Sequence, residues 1–172
     1  MSVKIGQIAP DFEVDAVVGS GDFKKIRLSE FTGKWVALFF YPLDFTFVCP
    51  TEIREFNSRH DDFLKRNAVV IGGSTDSKFS HKAWIEKDLG PLKFPLIADF
   101  TKKVASEYGI LREEMGVANR GVFLIDPDQK IRYMVVHDLG VGRSVDEVLR
   151  VLSALQTGAN CPAEWKPGQK TL

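Results

Sequence analysis

The sequence predicts an α/β fold: a central mixed sheet flanked by helices, with an N-terminal hairpin before it and a short C-terminal tail after it. Three observations support this. Continuous apolar runs rich in β-branched and aromatic residues occur at 35–41, 69–74 and 94–99, the composition of strands buried on both faces. Amphipathic helical patterns separate these runs. The last two strands, at 121–125 and 130–136, are joined by Asp126-Pro127-Asp128-Gln129, which is turn chemistry and leaves no room for a crossover helix. Strand–helix alternation that closes on a hairpin and a helix gives a layered α/β architecture.

Taken in order, Ala9-Pro10-Asp11-Phe12 reads as extended, and Gly19-Ser20-Gly21-Asp22 as a turn between short strands near 12–18 and 23–28. Residues 29–33 form a short helical turn or loop. The strand at 35–41, bounded by Gly33 and Pro42, is the buried centre of the sheet. Beyond it Ile53, Phe56, His60, Phe63 and Leu64 fall on one face of a helix. After the strand at 69–74, Asp76 or Ser77 caps a helix running to about Lys87 and carrying Phe79, Ala83 and Trp84. Residues 102–108 form a short helix closed by Gly109. In the last helix Ser144 and Glu147 make a capping box, Val145, Val148, Leu149, Leu152 and Leu155 line one face, and Gly158 ends it. Residues 1–157 therefore read as one domain and 158–172 as a tail.

A chain of 172 residues, 44% hydrophobic and 27% charged, can bury a core as one domain. Lys and Arg number 23, as do Asp and Glu, so the net charge is zero and gives no reason to expect nucleic acid or an anionic membrane as a partner. The N-terminus has no apolar signal core, and no stretch approaches the roughly 18 apolar residues of a membrane span. A cytoplasmic location is expected. Two cysteines, Cys49 and Cys161, are too few for a secreted disulfide scaffold; in a reducing compartment such a pair is catalytic or redox-sensing. With three scattered histidines and no ligand spacing, no metal is expected. Gly140-Val141-Gly142 precedes a helix but lacks the rest of a dinucleotide motif, so no nucleotide cofactor is expected either.

The chemistry centres on Cys49, where a strand-end loop becomes a helix. The thiolate is the reactive form, and the unpaired N–H groups and positive dipole end of a helix's first turn favour it. Pro50 suits that first turn, since no N–H partner is lost there. A thiol of ordinary pKa is only about 3% ionised near neutrality, so full ionisation gains about 30-fold at most. Fast attack on a peroxide also needs donors that stabilise the oxygens as the O–O bond lengthens. Thr46, three residues before Cys49, is placed to offer a hydroxyl; Arg120, just ahead of a strand, offers a cation if the sheet brings it across.

Pro42, Thr46 and Cys49, spaced P-x3-T-x2-C and followed by Pro50-Thr51-Glu52, resemble the active-site signature of peroxiredoxins, thiol peroxidases on a thioredoxin-like fold. Cys161, in Gly158-Ala159-Asn160-Cys161-Pro162-Ala163-Glu164-Trp165-Lys166-Pro167-Gly168, resembles the resolving-cysteine segment of the typical two-cysteine subgroup, close to bacterial alkyl hydroperoxide reductase component C. Asn119-Arg120-Gly121 and Gly142-Arg143-Ser144 are further matching islands. The resemblance implies that Cys49 attacks peroxide to give a sulfenic acid, with Arg120 over the site, Glu52 and Arg143 holding it in a charged network, and Pro42 shielding the sulfur. It further implies a disulfide between Cys49 and the Cys161 of a second subunit, a homodimer as catalytic minimum, and a ring of five dimers. An external dithiol protein, thioredoxin or an AhpF-like flavoprotein, would reset that disulfide. Sulfinylation-sensitive members carry an insertion where this chain reads Lys87-Asp88-Leu89-Gly90-Pro91-Leu92, and a C-terminal extension beyond the counterpart of Leu172. Resistance to hyperoxidation is the corresponding expectation.

Plainer readings stand beside these. Taken singly, Arg120 and Arg143 read as surface charges or structural pairs, Glu52 as a dipole partner of its helix, and Trp84 and Trp165 as packing. His60, His81 and His137 read as structural. Two other functions compete: a thioredoxin-like disulfide carrier, disfavoured because Glu52 stands where a CxxC motif has its second cysteine, and a ring-forming holdase.

Overall fold

The computed structural model describes residues 3–172. Its main sheet has seven strands in the order β2-β1-β5-β4-β3-β8-β9. These are β1 (Glu13–Gly19), β2 (Asp22–Arg27), β3 (Trp35–Phe40), β4 (Ala68–Ser74), β5 (Leu92–Ala98), β8 (Arg120–Ile125) and β9 (Ile131–His137). β3 and β4 pair in parallel, as do β4 and β5; β1–β2, β1–β5, β3–β8 and β8–β9 are antiparallel. The sheet is therefore mixed, with a hairpin at each end. A separate two-residue ladder joins β6 (Leu111–Arg112) to β7 (Val117–Ala118), a feature too short for any periodicity to announce.

Burial on both faces explains why β3 is a continuous apolar run. Ala37, Phe39 and Tyr41 enter one core cluster, while Val36, Leu38 and Phe40 enter the other, the alternation that a pleated strand imposes. The first cluster packs beneath α1 (Cys49–Ser58), α3 (Lys78–Trp84) and α5 (Val145–Thr157). The second packs against α4 (Lys103–Glu107). Gly72 and Gly73 in β4 fit this crowded centre: a Cβ on Gly72 would stand 2.6 Å from the Phe39 ring, and one on Gly73 2.4 Å from the Ile97 side chain.

Two helix assignments are corrected. The single helix expected from Ile53 to Leu64 breaks at Arg59 (φ −93°, ψ 7°) into α1 and α2 (His60–Leu64). The bend rotates Leu64 out of the apolar face, and it is exposed. In α3, Phe79 and Ala83 are exposed, while His81 and Trp84 are buried. Residues 83 and 84 lie about 100° apart around a helix, so both could not centre one buried face. That helix also widens into a π-turn at Ile85–Leu89, so it does not run as an α-helix to Lys87.

The caps follow the sequence more closely. Ser77 caps α3 by accepting from the Ser80 N–H at 3.2 Å. Ser144 caps α5 by accepting from the Glu147 N–H at 3.2 Å, but the Glu147 carboxylate is turned to Arg150 at 2.6 and 2.8 Å, so the box is half-made. Gly158 closes α5 at φ 67°, a left-handed position that costs glycine little. The tail then folds back on α5: Trp165 is buried, its carbonyl accepts from Arg150 at 3.0 Å, and its indole donates to the Gln169 carbonyl at 3.0 Å.

Candidate active site

β3 ends at Phe40 and α1 begins at Cys49, with Pro50 in its first turn. The connecting turn, 41–48, bends sharply enough to hold Phe45 at φ 55°, an uncommon conformation for a bulky residue. Cys49 is completely buried. The Arg120 Nη1 donates to Cys49 Sγ at 3.4 Å and to Glu52 Oε2 at 2.6 Å, while its Nε is fixed on the Leu139 carbonyl at 2.7 Å. β8 starts at Arg120 and lies beside β3, so the sheet itself carries this guanidinium to the foot of α1.

Glu52, one helical turn after Cys49, is the junction of the cluster. Arg143 donates to it from its backbone N–H at 2.8 Å, its Nε at 2.7 Å and its Nη2 at 2.9 Å. The Arg143 Nη1 spans the sheet to the carbonyls of Phe40 (2.7 Å) and Gly121 (2.6 Å). Each nitrogen of this buried fork therefore has a partner on β3, β8 or α1, which is how a charge survives burial. Burial alone would push the Glu52 carboxyl up, but the Arg143 hydrogen bonds and the charges of both arginines outweigh it and hold it below the usual carboxylate range. Burial pushes Arg143 down, with Glu52 opposing. Two guanidiniums against one carboxylate leave one positive charge uncompensated beside the sulfur. A thiolate at Cys49 would neutralise it.

Four expected residues are thus brought together: Cys49, Glu52, Arg120 and Arg143. Pro42 is buried in the turn. Thr46 is on the same turn, half-buried, but its hydroxyl donates to the Leu43 carbonyl at 2.9 Å and makes no hydrogen bond to the sulfur. It lines a groove shared with Phe45, Pro50, Arg54 and Trp84. Cys161 stands apart. α5 starts beside Glu52 and runs along α1 and α2, pairing Asp146 with Arg59 and Ser153 and Gln156 with Arg66. Cys161 packs at its other end, 3.5 Å from Thr157 Oγ1 and 3.8 Å from the Ala154 carbonyl. Thirteen helical residues separate the two ends by roughly 20 Å, and both thiols are free.

Sequence reasoning missed a second buried polar group under the turn. Asp44 Oδ2 is 2.7 Å from His81 Nδ1, Tyr41 donates to Asp44 Oδ1 at 2.8 Å, and the Asp44 N–H donates to Asp76 Oδ2 at 2.8 Å. Its one sequence signal was a carboxylate inside the signature, between Pro42 and Thr46. Missed too were the carbonyls of Phe40, Gly121 and Leu139 that hold the arginines, since a carbonyl's direction leaves no trace in residue identity. Among the described residues no group of three or more His, Cys, Asp and Glu could hold a metal, and no helix is long and apolar enough to cross a membrane.

Residues 5–134 match the AhpC/TSA family. The chain is 51% identical over 180 residues to Peroxiredoxin-2 of Macaca fascicularis, covering 99% of this chain and 90% of that one. Among solved structures, the reduced 2-Cys peroxiredoxin of Plasmodium vivax superposes with a TM-score of 0.95 at 39% identity, covering 98% of this chain and 92% of that one. Mycobacterium tuberculosis AhpC superposes at 0.87 with 38% identity, covering 96% and 100%. A thioredoxin-like sheet, a buried thiol under an arginine–glutamate cluster and identity of this extent lead to one conclusion: the chain belongs to the AhpC/TSA family and is a peroxiredoxin, a thiol-dependent peroxidase.

Proposed function

We propose that Cys49 is the thiol that attacks peroxide. Its thiolate takes the terminal oxygen, the O–O bond breaks, and the distal oxygen leaves as water or an alcohol after gaining a proton, with a sulfenic acid left on Cys49. The single observation that carries this is the Arg120 guanidinium 3.4 Å from the sulfur in a network with one positive charge to spare. A fixed donor there meets negative charge as it shifts onto oxygen and needs no reorganisation at the moment of reaction. Glu52 and Arg143 hold that donor in place. Pro42 screens the sulfur from water, and Thr46, three residues before Cys49 on the same turn, offers its hydroxyl to the incoming peroxide.

Cys161 resolves the sulfenic acid, its sulfur forming a disulfide with Cys49 as water leaves. What supports an intersubunit bridge is the roughly 20 Å of α5 between the two residues within one chain. Residues 1–157 then act as the catalytic domain and 158–172 as the tail that delivers Cys161 to a partner. Two surfaces favour assembly of dimers into a ring of five. β9 is an edge strand whose outer side is paired by Gly6 and Gln7 at Ile131, its first residue, and Phe79 and Phe100 are exposed beside a cavity on another face. Thioredoxin or an AhpF-like flavoprotein resets the disulfide, and the setting is the cytoplasm. Peroxide consumption coupled to a dithiol protein tests the assignment: Cys49→Ser abolishes turnover, and Cys161→Ser stops the catalytic cycle after one oxidation. Full turnover by Cys49→Ser would overturn it.

A further inference from the structure

The turn that bears Pro42 and Thr46 is held from below by a buried acid–base pair. His81, on α3, is fully buried, with Nδ1 2.7 Å from Asp44 Oδ2 and Nε2 3.0 Å from the Ile97 carbonyl on β5. That carbonyl can only accept, so Nε2 must carry a proton. The Asp44 contact then needs a proton of its own. A neutral imidazole has one N–H, so the second lies between Nδ1 and Oδ2, and the pair is net neutral whichever atom holds it.

The other groups facing the pair are Tyr41 and Asp76. Burial, then the charge of Asp44, raise the Tyr41 phenol well above its ordinary value, so its hydroxyl stays a donor to Asp44 Oδ1. Asp76 accepts the Asp44 N–H and the Ser74 hydroxyl on one oxygen, tying the same residue to the end of β4. Asp44 is thereby fixed through both side chain and backbone. Next to it, Phe45 sits at φ 55° with its ring 5.8 Å from Trp84. A strained residue persists only where its surroundings over-determine it, and the Asp44 anchor lies immediately before it.

Resting on the peroxidase reading, we propose that Asp44 and His81 are positioning residues for peroxide reduction: the proton they share holds the 41–48 turn in the shape that sets Pro42 and Thr46 beside Cys49. They touch neither the sulfur nor the substrate. Their effect on chemistry therefore divides unevenly between the two half-reactions. Oxidation of Cys49 needs the turn intact. Disulfide formation needs Cys49, completely buried here, to leave its site, and a slackened turn favours that step.

The test is single-turnover kinetics on the reduced protein, with Asp44→Asn, His81→Gln, the pair combined, and Tyr41→Phe, which removes the hydroxyl that donates to Asp44 Oδ1 and lies 3.4 Å from His81 Nδ1. Wild type and Cys49→Ser run alongside, so that failure of the peroxidase reading shows first as a wild type without turnover. The expected result is a tenfold or greater fall in the second-order rate of Cys49 oxidation for Asp44→Asn and His81→Gln, with disulfide formation unchanged or faster. Tyr41→Phe should fall a few-fold in the same step. The double variant should lose little more than either single one, because the two act as one unit. Oxidation at the wild-type rate in the folded variants overturns the proposal. So does an equal slowing of both steps, which is what loss of stability alone would give. Should the Asp44 and His81 variants not fold, Tyr41→Phe decides by the same criterion.

Discussion

At the scale of single residues, the site turns on how a buried excess of positive charge is balanced. Arg120 is the one hydrogen-bond partner of Cys49 Sγ among the described residues, so Arg120→Met should cost about 10²- to 10³-fold in kcat/KM, the usual cost of removing one preorganised donor. Arg120→Lys should recover only part, since one ammonium cannot reach Leu139, Glu52 and the sulfur with a guanidinium's geometry. Stopped-flow oxidation of reduced protein measures both; wild-type rates in Arg120→Met would refute the role. Glu52 gives a pH prediction. Its carboxyl is held below its ordinary value of 4.5, so its contribution to stability is complete above that value and is lost as the pH falls through the lower folded one. Glu52→Gln should therefore flatten the acid limb of the melting-temperature profile below about pH 4.5, and lower stability at neutral pH by about 3–5 kcal/mol through two unpaired buried arginines. Thermal melts from pH 7 down to pH 3 check both halves.

At the scale of elements, α1 and α5 do different work at the same place. α1 presents Cys49 and Glu52 from its first turns. α5 is preceded by Arg143 and ends beneath Cys161, so its length sets the distance between the thiols. Its start depends on Ser144, and Ser144→Ala should cost about 1 kcal/mol and lower Tm by about 2–4 °C in a chain of this size. A calorimetric scan checks it. No change at all would mean that the arginine network alone fixes the start of the helix. How much of the fold was legible differs element by element. β3 was legible because a strand buried on both faces leaves a continuous apolar run. The break at Arg59 was not, because the apolar spacing runs straight through it, and Arg59 is tied both to Asp62 nearby and to Asp146 far away in sequence.

At the scale of the whole molecule, the tail is the part whose proposed role depends on assembly. In one chain it folds on its own α5, with Trp165 buried and Cys161 only partly covered. If the bridge forms between subunits, peroxide-treated protein runs at twice the chain mass on a non-reducing gel and returns to single mass with dithiol. A mixture of Cys49→Ser and Cys161→Ser chains should form the same cross-linked dimer although neither variant can bridge itself. A disulfide confined to the monomer would contradict this. Size analysis of both redox states reports whether dimers assemble further.

The sequence by itself determined the sheet's centre, the place of Cys49 at a strand-to-helix junction and the chemistry proposed for it, because apolar periodicity, helix capping and a short motif are local properties. Only the tertiary structure decided that Arg120 and Arg143 meet on Glu52, that Thr46 faces the Leu43 carbonyl, and that His81 pairs with Asp44. Each of those contacts spans strands or joins a side chain to a backbone carbonyl, and its partner is chosen by three-dimensional packing, which the spacing of residues along a chain does not encode.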